Sequence, residues 1–246
     1  MRLSSNNRSE LDAEWRESTS NKQKSKTSIG IGRLATKIVQ VKDVDQLASA
    51  INVALPANGT VWVDDNEKKW NGSGFLLKNS RFITAHHVIE GLSNEAKISI
   101  VFDKDGKTFS ATVASEAPEI DVAILVLDQQ PEGIRPIMFA NPGDITVGEE
   151  VAVVGSPGGW QDVVSTGRVS AIDQSLGNLE QSLSNFILID ADIEPGSSGS
   201  MVIDTDSNIV GMVSAMIGEH AELGVGKKAV IPVAQIINVI KESHAQ

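Results

Sequence analysis

Between Asn58 and Thr84 the chain reads NGTVWVDDNEKKWNGSGFLLKNSRFIT. Three short runs rich in β-branched and aromatic residues, GTVWV, SGFLLK and RFIT, are cut apart by Asp, Asn, Gly and Ser, and nothing between them is long enough for a helix. The same grain continues through KISIVF, FSATVA, DVAILVL, EVAVVG, DVVSTGRVSAI, FILIDA, SMVI and NIVGMVSAM. About a dozen strands at this spacing, without long intervening helices, argue against a parallel α/β sheet and for antiparallel sandwiches or barrels. Helical spacing shows only at the two ends of this β region. Upstream, Asp43 and Gln46 form a capping-box pattern ahead of Leu47, Ile51 and Leu55, which predicts one amphipathic helix before Pro56. Downstream, Pro232 starts a helix that carries Val233, Ile236, Ile237 and Ile240 on one face.

The 246 residues are 41% hydrophobic and 22% charged, ordinary values for a chain with a sizeable core. Residues 1–37 hold eight basic and four acidic side chains and lack periodic apolar residues, so residues 1–42 are expected as a flexible basic arm ahead of a folded domain over 43–246. The whole chain has a net charge of −11, which excludes nucleic acid as its main partner. Cysteine is absent, so disulfides and thiolate zinc sites are excluded and the chemistry falls to Ser, His, Asp or Glu. MRLSSNNRSE has no apolar leader core, and no later stretch reaches the roughly 20 apolar residues of a membrane span. On these grounds a cytoplasmic protein without membrane contact is expected.

A serine hydroxyl becomes a useful nucleophile when a base takes its proton and donors receive the oxyanion that forms. Gly196-Ser-Ser-Gly199, within DADIEPGSSGS, suits both needs, because flanking glycines permit a tight turn whose amides converge beside the Ser198 hydroxyl. By composition it is also an ordinary Gly/Ser turn. Four histidines are available, His86, His87, His220 and His244; the first two follow the strand RFIT, and neighbouring side chains diverge, so at most one of the pair faces a nucleophile. Asp121 opens DVAILVL, the most apolar strand, where a carboxylate is desolvated unless a donor meets it. Taken singly, each of these signals is weak.

Together, in the order His, Asp, Ser, they resemble the trypsin-like (chymotrypsin-fold) serine proteases, and most closely the HtrA/Deg type. Four blocks carry the resemblance: Gly72-Ser-Gly-Phe75, Ile83-Thr-Ala-His-His-Val-Ile-Glu-Gly91, Ile120-Asp-Val-Ala-Ile-Leu125 and Pro195-Gly-Ser-Ser-Gly-Ser200. Val154-Gly-Ser-Pro157, Ser165-Thr-Gly-Arg-Val-Ser-Ala171 and Ala229-Val-Ile-Pro232 add weaker echoes. The resemblance implies an all-β fold of two packed six-stranded antiparallel β-barrels with a short N-terminal and a C-terminal helix, the barrels dividing near residues 130–145. It implies His87 as base, Asp121 as its partner and Ser198 as nucleophile, with the amides of Gly196 and Ser198 as oxyanion donors. Ser214, Ala215 and Met216 are implied as an edge strand that pairs with an extended protein or peptide substrate. Asp192 stands where basic-selective relatives place the floor of their specificity pocket, although HtrA-type loops differ there and favour small aliphatic side chains. A solvent-facing or internally paired Asp192 is therefore the preferred reading.

Three departures limit the analogy. Ser197 replaces the Asp that meets a freshly cut N-terminus in trypsins, so activation by such cleavage is not expected. Ser200 stands where Gly is commoner, and with 48 residues after Ser198, nearly all used by the closing strands and helix, no PDZ domain is expected. No cofactor and no metal are implied, since no HExxH spacing or phosphate-cradling loop occurs. Both a monomer and a homotrimer are compatible with the resemblance. The competing reading is a catalytically silent binding or structural module with the same fold, and an esterase using the same triad ranks last.

Overall fold

The structure is a computed structural model and describes residues 45–66, 68–102, 106–174, 185–214 and 228–243. The expected basic arm, Ala215, Met216, His220 and His244 lie outside these residues.

Helix α1 (Gln46–Ala54) begins at Asp45, whose carboxylate accepts from the Ala48 amide at 3.1 Å and so satisfies one of the free N–H groups of the first turn. Leu47, Ala50 and Ala54 form its buried face. Pro56 then converts the chain to a 3₁₀ turn, Leu55–Ala57, that delivers it to β1. Six strands follow: β1 (Asn58–Asp65), β2 (Lys68–Leu76), β3 (Arg81–Thr84), β4 (Lys97–Phe102), β5 (Lys107–Ala117) and β6 (Val122–Leu127). They close in the order β1-β2-β3-β6-β5-β4, entirely antiparallel. Closure removes the unpaired edges of an open sheet. Phe82, Phe102 and Phe109 fill this barrel edge to face, with ring centroids 5.8 and 5.7 Å apart.

The second barrel uses β8 (Glu150–Gly155), β9 (Val163–Gln174), β10 (Phe186–Ile189), β11 (Met201–Ile203), β12 (Asn208–Val213) and β13 (Lys228–Pro232). Its order β11-β8-β9-β10-β13-β12 closes through the β11 to β12 pairing, and the two-residue β7 (Met138–Phe139) joins β12 in parallel. Val151, Val153, Ile189, Val202 and Val230 line its interior. Helix α2 (Val233–Glu242) packs against β5, β6, β12 and β13 and so straps the two barrels together. Its buried face is Val233, Ile236, Val239 and Ile240; Val239 takes the place the sequence reading gave to Ile237. The all-β double barrel with a helix near each end agrees with the sequence-based expectation.

Candidate active site

β3 ends at Thr84, and the chain turns through a 3₁₀ segment, His86–Val88, that aims two successive imidazoles in different directions. His86 is buried, with Nε2 3.9 Å from Glu116. His87 faces the junction of the two barrels. A second 3₁₀ turn, Pro118–Ile120, ends in Asp121 at φ +57°, a left-handed conformation that costs an L residue roughly 1–2 kcal/mol and that Asp tolerates better than most. The turn inserts the Asp121 carboxylate, 1% exposed, beneath His87.

Burying a carboxylate demands donors, and four contacts supply them. Asp121 Oδ1 accepts from the His87 backbone N–H at 2.9 Å, both carboxylate oxygens lie 2.9 Å from His87 Nδ1, and Ser214 Oγ donates to Oδ2 at 2.5 Å. A deprotonated carboxylate has no hydrogen to give, so Nδ1 carries the ring proton and Nε2 is left as an acceptor. Nε2 lies 2.8 Å from Ser198 Oγ. The three side chains thus form one continuous hydrogen-bonded line from the first barrel to the second.

Ser198 sits in two consecutive tight turns. The Ser197 amide donates to the Glu194 carbonyl at 3.0 Å, around Pro195 and Gly196, and the Ser200 amide donates to the Ser197 carbonyl at 2.8 Å, around Ser198 and Gly199. Gly196 has φ +92° and Gly199 φ +89°, and a Cβ on Gly199 would stand 2.0 Å from the Ser73 carbonyl oxygen, so both positions require glycine. The Gly199 amide donates to the Val213 carbonyl. Among the described residues, the amides of Gly196 and Ser198 are the two in this stretch that donate to no protein acceptor. β2 approaches from the other barrel: the Ser73 amide donates to the Ser198 carbonyl and the Ser73 hydroxyl to the Gly196 carbonyl, each at 2.8 Å.

His87, Asp121, Ser198 and Ser214 are therefore brought together, and Gly196 adjoins them. Ser214 reaches Asp121 as well as standing at the end of the expected substrate strand, a contact that the sequence reading missed. Asp192 is exposed. With Glu194 it lines a cavity of about 240 Å³ bounded also by Val153, Val163 and Ser165 and by Ser197 and Ser200, the residues on either side of the Ser198–Gly199 pair. Ser73, Thr84 and Ser156 also escaped the sequence reading, although Ser73 lies in the GSGF block that carried part of the resemblance.

Two closed antiparallel barrels with a His, Asp and Ser cluster at their junction define the chymotrypsin-like class of folds. A profile of the trypsin-like peptidase domain matches residues 72–212, and the chain belongs to that family. It is 30% identical over 176 residues to Protease Do-like 1, chloroplastic, of Arabidopsis thaliana, covering 70% of this chain and 39% of that protein. It is 28% identical over 173 residues to a probable periplasmic serine protease do/HhoA-like of Haemophilus influenzae, covering 70% and 36%. The chain thus spans under two fifths of the length of these relatives. Among solved structures, the HtrA-type protease AlgW with decapeptide superposes with a TM-score of 0.68 at 22% identity, covering 81% of this chain and 68% of that one. The expected family and its HtrA/Deg affinity are borne out.

The expectation of a cytoplasmic protein is corrected by the same relatives, which are named as chloroplastic or periplasmic. That expectation rested on the lack of an apolar run in the first residues and of a membrane-spanning stretch. The lack of a membrane span does not report a compartment, because a protein without one can stand on either side of a membrane. No helix among the described residues is long and apolar enough to cross a membrane.

Proposed function

We propose that this chain is a serine endopeptidase in which Ser198 is the nucleophile, His87 the general base and acid, and Asp121 the group that fixes and stabilises the imidazole. The supporting observation is the unbroken line of contacts, Asp121 to His87 Nδ1 at 2.9 Å and His87 Nε2 to Ser198 Oγ at 2.8 Å. As Ser198 Oγ attacks the scissile carbonyl carbon, its proton passes to Nε2, and the imidazolium is stabilised by the buried carboxylate. The carbonyl oxygen becomes an oxyanion and takes hydrogen bonds from the Gly196 and Ser198 amides, which have no competing acceptor among the described residues. His87 returns the proton to the leaving nitrogen, the C–N bond breaks, and an acyl-Ser198 ester remains. Water, deprotonated by the now neutral His87, repeats the sequence in reverse and frees the carboxylic acid.

Ser214, Ala215 and Met216 pair with the acyl side of an extended peptide in this reading, while Asp192, exposed to solvent, does not select a basic residue. Small aliphatic residues are then expected before the cleaved bond, and Asp192→Asn should leave a peptide-library cleavage profile unchanged. Casein digestion tests the activity itself. The wild type is expected to degrade casein and Ser198→Ala to lose about 10⁴–10⁶-fold in turnover. Equal digestion by both would overturn the assignment of Ser198.

A further inference from the structure

Ser73 is fully buried in β2, takes part in none of the proton transfers above, and nevertheless makes four hydrogen bonds around the nucleophile turn. Its amide donates to the Ser198 carbonyl at 2.8 Å, and its hydroxyl donates to the Gly196 carbonyl at 2.8 Å. That hydroxyl also accepts from the Ser156 amide at 2.8 Å, at the loop after β8. Its own carbonyl accepts from Thr84 Oγ1 at 2.8 Å, three residues before His87. One residue of the first barrel therefore grips two carbonyls of the turn in the second.

We propose that Ser73 is the positioning residue that holds the oxyanion-binding amides in their working orientation, an inference that rests on the serine endopeptidase reading. In a trans peptide the N–H points opposite to the C=O of the same unit. Fixing the Gly196 carbonyl turns the Ser197 N–H toward Glu194, and fixing the Ser198 carbonyl turns the Gly199 N–H toward Val213. Between them the Ser197 carbonyl is held by the Ser200 amide, which sends the Ser198 N–H the other way. The Ser198 N–H belongs to one of these three pinned units, and the Gly196 N–H, on the preceding Pro195 unit, is joined through one Cα to the pinned Gly196 carbonyl, so both amides are held free for a developing negative charge. Without the Ser73 hydroxyl, the half-buried Gly196 carbonyl and the buried Ser156 amide lose their partner, and the Glu194–Ser197 turn can rotate to satisfy itself. Such a rotation withdraws a donor that acts only once the carbonyl oxygen is charged, so the loss falls on kcat rather than on KM.

The test compares Ser73→Ala, Ser73→Cys and Ser73→Thr with the wild type, and uses Thr60→Val, which removes a buried hydroxyl with no hydrogen-bond partner among the described residues, as the control. Removing a direct oxyanion donor costs about 10²–10³-fold, so loosening the turn behind it is expected to lower kcat by about 10–10²-fold with KM within about twofold. Affinity for a peptidyl boronate, which binds as a tetrahedral anion, should fall in the same proportion, whereas affinity for the product peptide should not. Ser73→Thr keeps the hydroxyl and should recover most of the activity, and Thr60→Val should match the wild type. Ser73→Cys keeps the size and weakens the donor, and gives the same reading should Ser73→Ala not fold by circular dichroism. A folded Ala or Cys variant with wild-type kcat and boronate affinity would overturn the proposal alone. A folded wild type that a fluorophosphonate does not label would overturn the endopeptidase reading and this proposal with it.

Discussion

Asp121 concentrates the electrostatic cost of the site in one residue. It is 1% exposed, holds a left-handed backbone, and its charge is stabilised by the His87 amide, the His87 ring and the Ser214 hydroxyl. Asp121→Asn offers a donor where an acceptor is needed and forces the other tautomer on His87, so kcat should fall about 10⁴-fold while the fold is kept. Steady-state kinetics with a circular dichroism control checks this. Ser214→Ala removes one of the donors and should have a far smaller effect than Asp121→Asn; equal losses would mean that Ser214 fixes the site as much as Asp121 does. His87, Asp121 and Ser198 were legible only jointly, through the order and strand context that carry the resemblance, because each signal taken singly is weak. Ser214 was read only as a strand residue, because nothing in NIVGMVSAM says which side chain bends back across the barrel junction.

At the scale of the element, strand runs were legible wherever alternation or an apolar run stood between turn residues, and RFIT and EVAVVG match β3 and β8 residue for residue. β7 has two residues, too few for any period, and its existence depends on pairing with β12, which no local pattern announces. Helix α1 starts from Asp45 rather than the anticipated Asp43, because the side chain two residues further on is the one that reaches the Ala48 amide. β3 owes its place to Phe82, fully buried and edge to face with Phe102. Phe82→Ala should destabilise the protein by about 3–5 kcal/mol in urea unfolding. Near the end of β1, the Ser93 hydroxyl and then the Ser93 amide hold the Asp65 carboxyl below its usual range. A depressed carboxyl contributes its stability in full above the ordinary carboxylate range and loses it as pH falls through the lowered value. The Tm difference between wild type and Asp65→Asn should therefore shrink on acidification, and a difference that grows would contradict the assignment.

In the whole molecule, the barrels are joined by polar side chains as well as by the apolar core that runs between them. Asn58 of β1 lies within 3.3 Å of the Gly155 carbonyl, the Ser156 hydroxyl and the Asp162 carboxylate, all from the second half of the chain. Asn58→Ala removes the Asn58 donor from the buried Gly155 carbonyl and Ser156 hydroxyl and should cost about 1–3 kcal/mol, read as a shifted midpoint in denaturant. The double barrel was anticipated through resemblance, whereas composition and spacing alone reached only antiparallel sandwiches or barrels. Which residues would seam the barrels was illegible, because Asn58, Ser73 and Ser156 are polar residues in turn-like surroundings that acquire a role only through partners about 80 to 120 positions away. The central claim is that a single hydroxyl among three neighbouring serines is activated by His87. Treating the folded protein with diisopropyl fluorophosphate and mapping the adduct by mass spectrometry tests it most directly. The account predicts one phosphoryl group, carried by Ser198 and absent from Ser197 and Ser200, and no adduct in His87→Ala; an unmodified wild type, or modification that survives loss of His87, would contradict it.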